Sequence, residues 1–159
     1  MSRRLALFAV LAVSAAGCVS AAPTPCDGLS TRTYGITREE YAPCAREILD
    51  TLDALQRQVR RVVYQKDGEA AGEAGRASRY LRLLQERVGV RADLQRELRA
   101  GSPAPTIERW PDGVMRRFIE KAFNAAAQYR SALGHPNRDN LDQGFRYHQE
   151  ARQAYARFR

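Results

Sequence analysis

The chain has 159 residues, a formal net charge of +8 and an apolar share of 44 %. This length suits one domain and is too short for two ordinary ones. The apolar share is that of a globular protein, which excludes disorder throughout the chain. Only Lys66 and Lys121 are lysines, and every other basic residue is arginine. The arginines predict attraction to anionic surfaces, although a GC-rich genome would produce the same composition without any functional reason.

The first residues have the pattern of an export signal. Arg3 and Arg4 form a short basic segment, and an uncharged apolar run follows from Leu5 to Ala16. That run is too short to cross a bilayer, which takes about 20 apolar residues. We predict that residues 1–17 are removed, which takes away two arginines and lowers the net charge from +8 to +6. An exported protein is not expected to meet nucleic acid.

The segment Ser14-Ala15-Ala16-Gly17-Cys18 resembles the lipobox of bacterial lipoproteins, with Ala15 where that family most often has leucine. The resemblance implies that Cys18 receives the lipid and becomes the mature N-terminus. Because Val19 rather than Asp follows, it also implies the outer membrane if the host is Gram-negative. The alternative is an ordinary signal-peptidase site at Val19-Ser20-Ala21, with cleavage before Ala22 and loss of Cys18.

Two further cysteines, Cys26 and Cys44, remain in either case. An even number in an oxidising compartment predicts a disulfide. It would close a loop of about 17 residues, contribute about 3 kcal/mol, and staple the N-terminal segment to the first helix. A metal site would need more ligands than these cysteines and two distant histidines supply. We therefore expect neither a metal nor a cofactor.

A tether and irregular lead-in are expected over residues 18–36, and a helical domain over 37–159. Thr37-Arg38-Glu39-Glu40 has the form of a capping box. Pro43 suggests a distorted first turn or a start nearer Ala42. One helix over about 38–65 is predicted, because apolar residues recur there at heptad spacing. They are Tyr41, Ala45, Ile48, Leu52, Leu55, Val59 and Val62.

The segment from Lys66 to Ser78 is rich in glycine and alanine and has two interpretations. Small residues on one face of a helix would allow close approach to a neighbouring helix. Each glycine, however, costs about 1 kcal/mol inside a helix, so we favour a loop that enters a helix near Glu73. Gly89 is expected to break or kink this helix. Its apolar residues are Tyr80, Leu81, Leu84 and Val88, followed by Leu94 and Leu98.

Residues 101–105, Gly-Ser-Pro-Ala-Pro, predict a linker. Asp112 is a candidate N-cap of the next helix, and Gly134 before Pro136 predicts its end. The last helix is expected to begin near 137–140. The apolar positions of the first of these helices are Met115, Phe118, Ile119, Ala122, Phe123, Ala126, Tyr129 and Leu133. Those of the last helix are Leu141, Phe145, His148, Ala151, Tyr155 and Phe158.

No segment of the sequence shows the alternation of apolar and polar residues that is typical of a strand. The sequence therefore predicts an all-α antiparallel bundle of about four helices.

Catalytic side chains form no pattern that we can identify. His148 lies on an apolar stripe, which favours a packed histidine over a ligand or base, and His135 is expected to be solvated in a turn. The pairs Asp50/Asp53 and Asp139/Asp142 lie on arginine-rich helices. Surface ion pairs explain them more simply than acid–base catalysis. We therefore expect no catalytic residues and no enzyme.

Arginine and tryptophan residues supply the candidates for partner binding, because these types dominate binding hot spots. Trp110 alternatively closes one end of the bundle, and the arginines alternatively form a solvated face. The candidates are Trp110, Arg116, Arg117, Arg57, Arg60 and Arg61.

The early cysteine pair and two later segments resemble small helical periplasmic proteins of the lysozyme-inhibitor type. The later Trp and Cys of that pattern have no counterpart here. The matching residues are Cys26, Cys44, Asp53-Ala54-Leu55 and Leu81-Arg82-Leu83-Leu84-Gln85. Small lipoproteins that escort secretion-channel subunits are similar in class only: a lipid anchor, a helical bundle and a disulfide.

Three functions remain open from the sequence. The first is a non-catalytic helical module, anchored by lipid and facing the periplasm, that binds another envelope protein. The second is a soluble periplasmic inhibitor or binding protein for an envelope enzyme or an anionic ligand. The third is an enzyme whose site the sequence does not reveal.

Overall fold

The computed structural model describes residues 23–30, 35–87 and 112–158. The helices of these ranges are α1 (Asp27–Ser30), α2 (Arg38–Gln65), α3 (Gly68–Arg87), α4 (Gly113–Gly134) and α5 (Arg138–Tyr155). No strand occurs among the described residues, and the predicted all-α class is confirmed. The predicted signal, Cys18, the residues from Val88 to Leu98, the linker at 101–105 and Trp110 lie outside these ranges.

The four longer helices run up, down, up and down, as an antiparallel bundle requires. Arg38, at the start of α2, bonds to Asp112, at the start of α4, so these two helices point the same way. The hydroxyl of Tyr80, in the second half of α3, donates to Glu47, in the first half of α2, so these two helices run antiparallel. Helices α2 and α4 each contact all the other long helices, whereas α3 and α5 lie on opposite sides of the bundle.

We call the two ends of the bundle the tether end and the distal end. The tether end contains the first turns of α2 and α4 and the last turns of α3 and α5, together with α1. The distal end contains the last turns of α2 and α4 and the first turns of α3 and α5. A disulfide joins Cys26 to Cys44 at the tether end, with the two Cα atoms 4.8 Å apart, and the predicted pairing is confirmed.

Helix α2 begins at Arg38, and the predicted capping box is present. Thr37 accepts a hydrogen bond from the Glu40 amide at 3.3 Å, and the Glu40 carboxylate accepts one from the Thr37 amide at 2.9 Å. The alternative start near Ala42 is wrong, since α2 begins at Arg38 and Pro43 lies inside the helix. The capping box satisfies the first amides, and Pro43 is on the exposed side, away from the core.

Helix α3 begins at Gly68, so the preference for a loop over the glycine-rich segment was wrong. Asp67 starts the helix by accepting hydrogen bonds from the amides of Glu69 and Ala70, each at 3.0 Å. The buried face has small side chains, which let α3 pack closely on α2 and so offset the cost of the glycines. Its buried residues are Ala70, Ala74, Ser78, Leu81, Leu84 and Gln85.

Two aromatic residues do not lie where the sequence patterns put them. Phe145 is 43 % exposed and Tyr80 is 37 % exposed, although both were expected on apolar stripes. In α5 Gly144 is buried instead of Phe145, because the ring of Tyr129 fills the space where a side chain at position 144 would lie. A Cβ at Gly144 would lie 2.6 Å from Cε1 of Tyr129. The close packing of this ring therefore accounts for Gly144 in place of Phe145, while Leu141, His148 and Ala151 are buried as predicted.

The tether end holds the largest aromatic cluster of the described core. Phe118 contacts Tyr41, Tyr155 and Phe158, with ring centroids 5.8, 6.1 and 5.6 Å away. The lead-in packs onto the same end: Leu29 and Ile36 are buried, and Asp27 pairs with Arg87 of α3. The segment predicted as irregular thus contains one helical turn, α1, that is docked on the bundle.

Candidate interaction site at the distal end

The structure separates the two groups of arginines that the sequence suggested for partner binding. Arg57, Arg60 and Arg61 lie near the end of α2, at the distal end. Arg116 and Arg117 lie in the first turns of α4, at the tether end. With a helical rise of about 1.5 Å per residue, the two groups are about 25 Å apart along the bundle. They therefore form two surfaces and not one.

Two arginines of the distal end lie against the ring of an exposed tyrosine. Tyr64 is 46 % exposed. The guanidinium carbon of Arg138 lies 5.0 Å from the centroid of its ring, and that of Arg60 lies 6.0 Å away. Both distances are within the range of cation–π contact. We call Arg57, Arg60, Tyr64 and Arg138 the distal arginine cluster.

Sequence reasoning missed Tyr64 and Arg138. Tyr64 follows Arg60 by four residues and Arg57 by seven, so the helical period alone places all three on one face of α2. Its spacing from these two arginines was a signal that could have been used. Arg138 comes from α5, and only the packing of α5 against α2 brings it to the ring of Tyr64.

Arg61 has a different role from its neighbours in the sequence. Its Nη2 donates to Asp67 at 2.6 Å, its Nη1 donates to Gln58 at 3.1 Å, and Glu73 lies 3.9 Å away. The Ala70 amide, with the guanidinium of Arg61, holds the pKa of the Asp67 carboxyl below its usual value despite partial burial. Arg61 therefore stabilises the turn that starts α3, and its hydrogen-bonding capacity is largely used within the chain.

The guanidinium groups of the cluster differ from that of Arg61. Among the described residues, no aspartate or glutamate lies within ion-pair distance of Arg57, Arg60 or Arg138. Beside them runs an open groove of about 440 Å³, lined by Arg57, Arg60, Arg61, Tyr64 and Gln65. The groove combines positive charge with an aromatic face, which suits an anionic group attached to an apolar one.

The arginines of the tether end lie in a more balanced electrostatic environment. Arg117 is 3.9 Å from Glu150, which also pairs with Lys121 at 3.0 Å. Arg117 lines a smaller groove of about 220 Å³ between the start of α4 and the end of α5. Arg116 lies beside it in the sequence, half-buried on α4. Trp110, the remaining predicted anchor, lies outside the described residues.

His148 belongs to a polar group inside the bundle. Its side chain is fully buried, with Nδ1 3.2 Å from the Tyr129 hydroxyl and Nε2 3.5 Å from an oxygen of Asp53. Asp53 also pairs with Arg152 across α2 and α5, in line with the ion pair expected for it. Burial lowers the pKa of His148 to about 4, against the attraction of Asp53. A ligand cannot reach this ring while the helices stay packed.

Two further properties of the described residues bear on function. They contain no group of three or more His, Cys, Asp or Glu side chains placed to hold a metal ion. None of the described helices has both the length and the apolar character needed to span a bilayer. His135, in the turn between α4 and α5, is exposed as expected.

Comparisons of the chain with models of protein families, with curated proteins and with solved structures yield no match.

Proposed function

We propose that the chain is a non-catalytic interaction module of the bacterial envelope, anchored by a lipid on Cys18 and facing the periplasm. In this proposal it binds another envelope protein through the distal arginine cluster. The observation that carries the proposal is the position of this cluster, at the opposite end of the bundle from the N-terminal segment. Helix α2 has 28 residues and a length of about 40 Å, which separates the cluster from the anchor.

The disulfide and the docked lead-in support this orientation. Cys26 is joined to Cys44 in the second turn of α2, so the chain enters the bundle at the tether end. From Cys18 to Cys26 an extended chain reaches at most about 28 Å, since each residue spans about 3.5 Å. A lipid on Cys18 would hold the tether end near the membrane surface. The distal end would then be free to extend into the periplasm.

The buried state of His148 supports a function without catalysis. A general base needs contact with its substrate and a pKa near the working pH. The ring of His148 is fully buried, and its pKa lies at about 4. Its contacts with Tyr129 and Asp53 are those of a polar group that joins α2, α4 and α5.

The anchor is tested by the mass of the mature N-terminal peptide, from protein purified out of the membrane fraction. We expect a diacylated or triacylated Cys18, and a Cys18→Ser variant should lose the lipid and leave the membrane. A mature chain that begins at Ala22 in the soluble periplasmic fraction would overturn the anchored model. It would favour the second hypothesis, a diffusible inhibitor or binding protein.

The interaction is tested by cross-linking intact membranes that carry the wild type or a charge-reversed variant. With Arg60→Glu and Arg138→Glu we expect loss of an envelope protein that cross-links to the wild type. Arg76→Glu with Arg79→Glu, two exposed arginines of α3, makes the same change of charge elsewhere and should keep that partner. The same set of cross-links for all three proteins would exclude the distal cluster as the binding site.

A further inference from the structure

We infer that the distal arginine cluster binds an acidic segment of a partner protein. Carboxylates would bind the guanidinium groups of Arg57, Arg60 and Arg138, and an apolar side chain would lie against Tyr64. This inference rests on the proposed function and specifies the chemistry of the partner.

Charge complementarity is the first argument. Arginines that stabilise the fold are paired with carboxylates of this chain: Arg38 with Asp112 at 2.7 Å, and Arg61 with Asp67 at 2.6 Å. In the described part of the chain, Arg57, Arg60 and Arg138 lack such a pair. A guanidinium group binds a carboxylate through two parallel hydrogen bonds, so each of these arginines can take one acidic side chain.

Preorganisation is the second argument. Arg60 and Arg138 lie over or beside the ring of Tyr64, at 6.0 and 5.0 Å from its centroid. This contact restricts two long side chains before any ligand arrives, which lowers the entropy lost on binding. Tyrosine and arginine are also the residues that most often carry binding energy in protein interfaces.

The exposed ring favours a protein over an inorganic anion. An inorganic polyphosphate needs positive charge, but it gains little from an apolar ring and from the arginine stems that line the groove. An apolar centre with a charged rim is the usual composition of a protein interface. In the proposed orientation the headgroups of the anchoring membrane are a poor fit as well, because the cluster lies about 30–40 Å along α2 from the tether end.

Photocrosslinking of the full chain in membranes tests the inference. A benzoyl-phenylalanine is placed at Tyr64 in one variant and at Tyr80 in another. Tyr80 is the matched control, since it is exposed to a similar extent but its hydroxyl bonds to Glu47 and not to arginine. We expect the cross-linked peptide from position 64 to contain more Asp and Glu than Lys and Arg. We expect no such peptide from position 80.

A second measurement uses the captured segment as a synthetic peptide, titrated against the purified mature chain without its lipid. Each of Arg57→Ala, Arg60→Ala and Arg138→Ala should weaken binding by about tenfold, as expected for the loss of one charge-assisted contact. Added salt should weaken binding further. Arg76→Ala and Arg79→Ala should bind as the wild type does.

The inference is overturned by a cross-link to lipid or glycan, by a neutral or basic peptide, or by equal or absent cross-linking at positions 64 and 80. It is also overturned if the three alanine variants bind the peptide like the wild type. These outcomes are distinct from failure of the anchor. An unmodified chain that begins at Ala22 would refute the membrane attachment, while the cross-linked peptide and its affinity would still report on the cluster.

Discussion

The two ends of the bundle are built from the same residue types but use them differently. At the tether end, aromatic rings face inward: Tyr41 and Phe118 are fully buried. Arg38 and Arg87 there are paired with the carboxylates of Asp112 and Asp27. At the distal end, Tyr64 is exposed and is accompanied by arginines that have no carboxylate among the described residues.

Under the proposed function, this difference lets one arginine-rich composition serve two purposes. An arginine that is partly buried and forms an ion pair with a carboxylate links two helices and contributes to the free energy of unfolding. Where an arginine stands beside an exposed ring, it contributes little to folding and remains available to bind. Replacing a side chain with alanine should therefore lower the free energy of unfolding more at the tether end than at the distal end.

The largest expected effect is the loss of a buried ring at the tether end. Phe118→Ala removes a side chain that contacts three other rings and should lower the free energy of unfolding by about 3–5 kcal/mol. Tyr64→Ala, the matched change at the distal end, should alter it by less than about 0.5 kcal/mol. Urea unfolding of both variants provides the comparison. Equal losses would show that the distal ring also supports the fold.

Loss of the disulfide should come next. Replacing both Cys26 and Cys44 with alanine should lower the free energy of unfolding by about 3 kcal/mol, because the unfolded chain gains the freedom of the opened loop. Thermal unfolding with and without a reducing agent measures this effect. The reductant should destabilise the wild type and leave the double variant unchanged. A wild type that is insensitive to complete reduction would contradict a stabilising role for the bond.

Acid should destabilise the middle of the bundle through His148. Because burial lowers its pKa from 6.5 to about 4, the unfolded chain binds more protons between these two pH values. The free energy of unfolding therefore falls as the pH drops from about 6.5 to about 4, by up to about 3 kcal/mol. His148→Gln removes this titration. Urea unfolding at several pH values should show a shallower pH dependence in the variant, and parallel curves would refute the assignment.

The smallest expected effects come from glycine-to-alanine substitutions, and their signs should differ. Gly144→Ala places a Cβ 2.6 Å from Tyr129 and should destabilise by about 1–2 kcal/mol, despite the higher helix propensity of alanine. Gly72→Ala meets no atom within 4 Å and should stabilise by about 0.5–1 kcal/mol. The melting temperatures of the two variants test the contact. A gain in both would show that the Tyr129 ring can move aside.

Local sequence signals predicted the helix boundaries where a capping residue was present. Thr37, Asp112 and Asn137 each precede a helix and accept hydrogen bonds from its first amides. Such signals act over three or four residues, so they can be identified from the sequence alone. Asp67 caps α3 in the same way but was overlooked, because the glycines that follow it favoured a loop.

The sequence by itself determined the helical class, the starts of α2, α4 and α5, and the pairing of Cys26 with Cys44. These follow from the periodicity of apolar residues, from local hydrogen bonding and from the number of cysteines. The tertiary structure alone decided that Gly144 and not Phe145 packs inward in α5, and which of the described arginines are left without carboxylates. It turned Phe145 outward because Tyr129 fits only against Gly144, and it brought Arg138 to Tyr64. Contacts between distant segments depend on side-chain packing between helices, which no local pattern specifies.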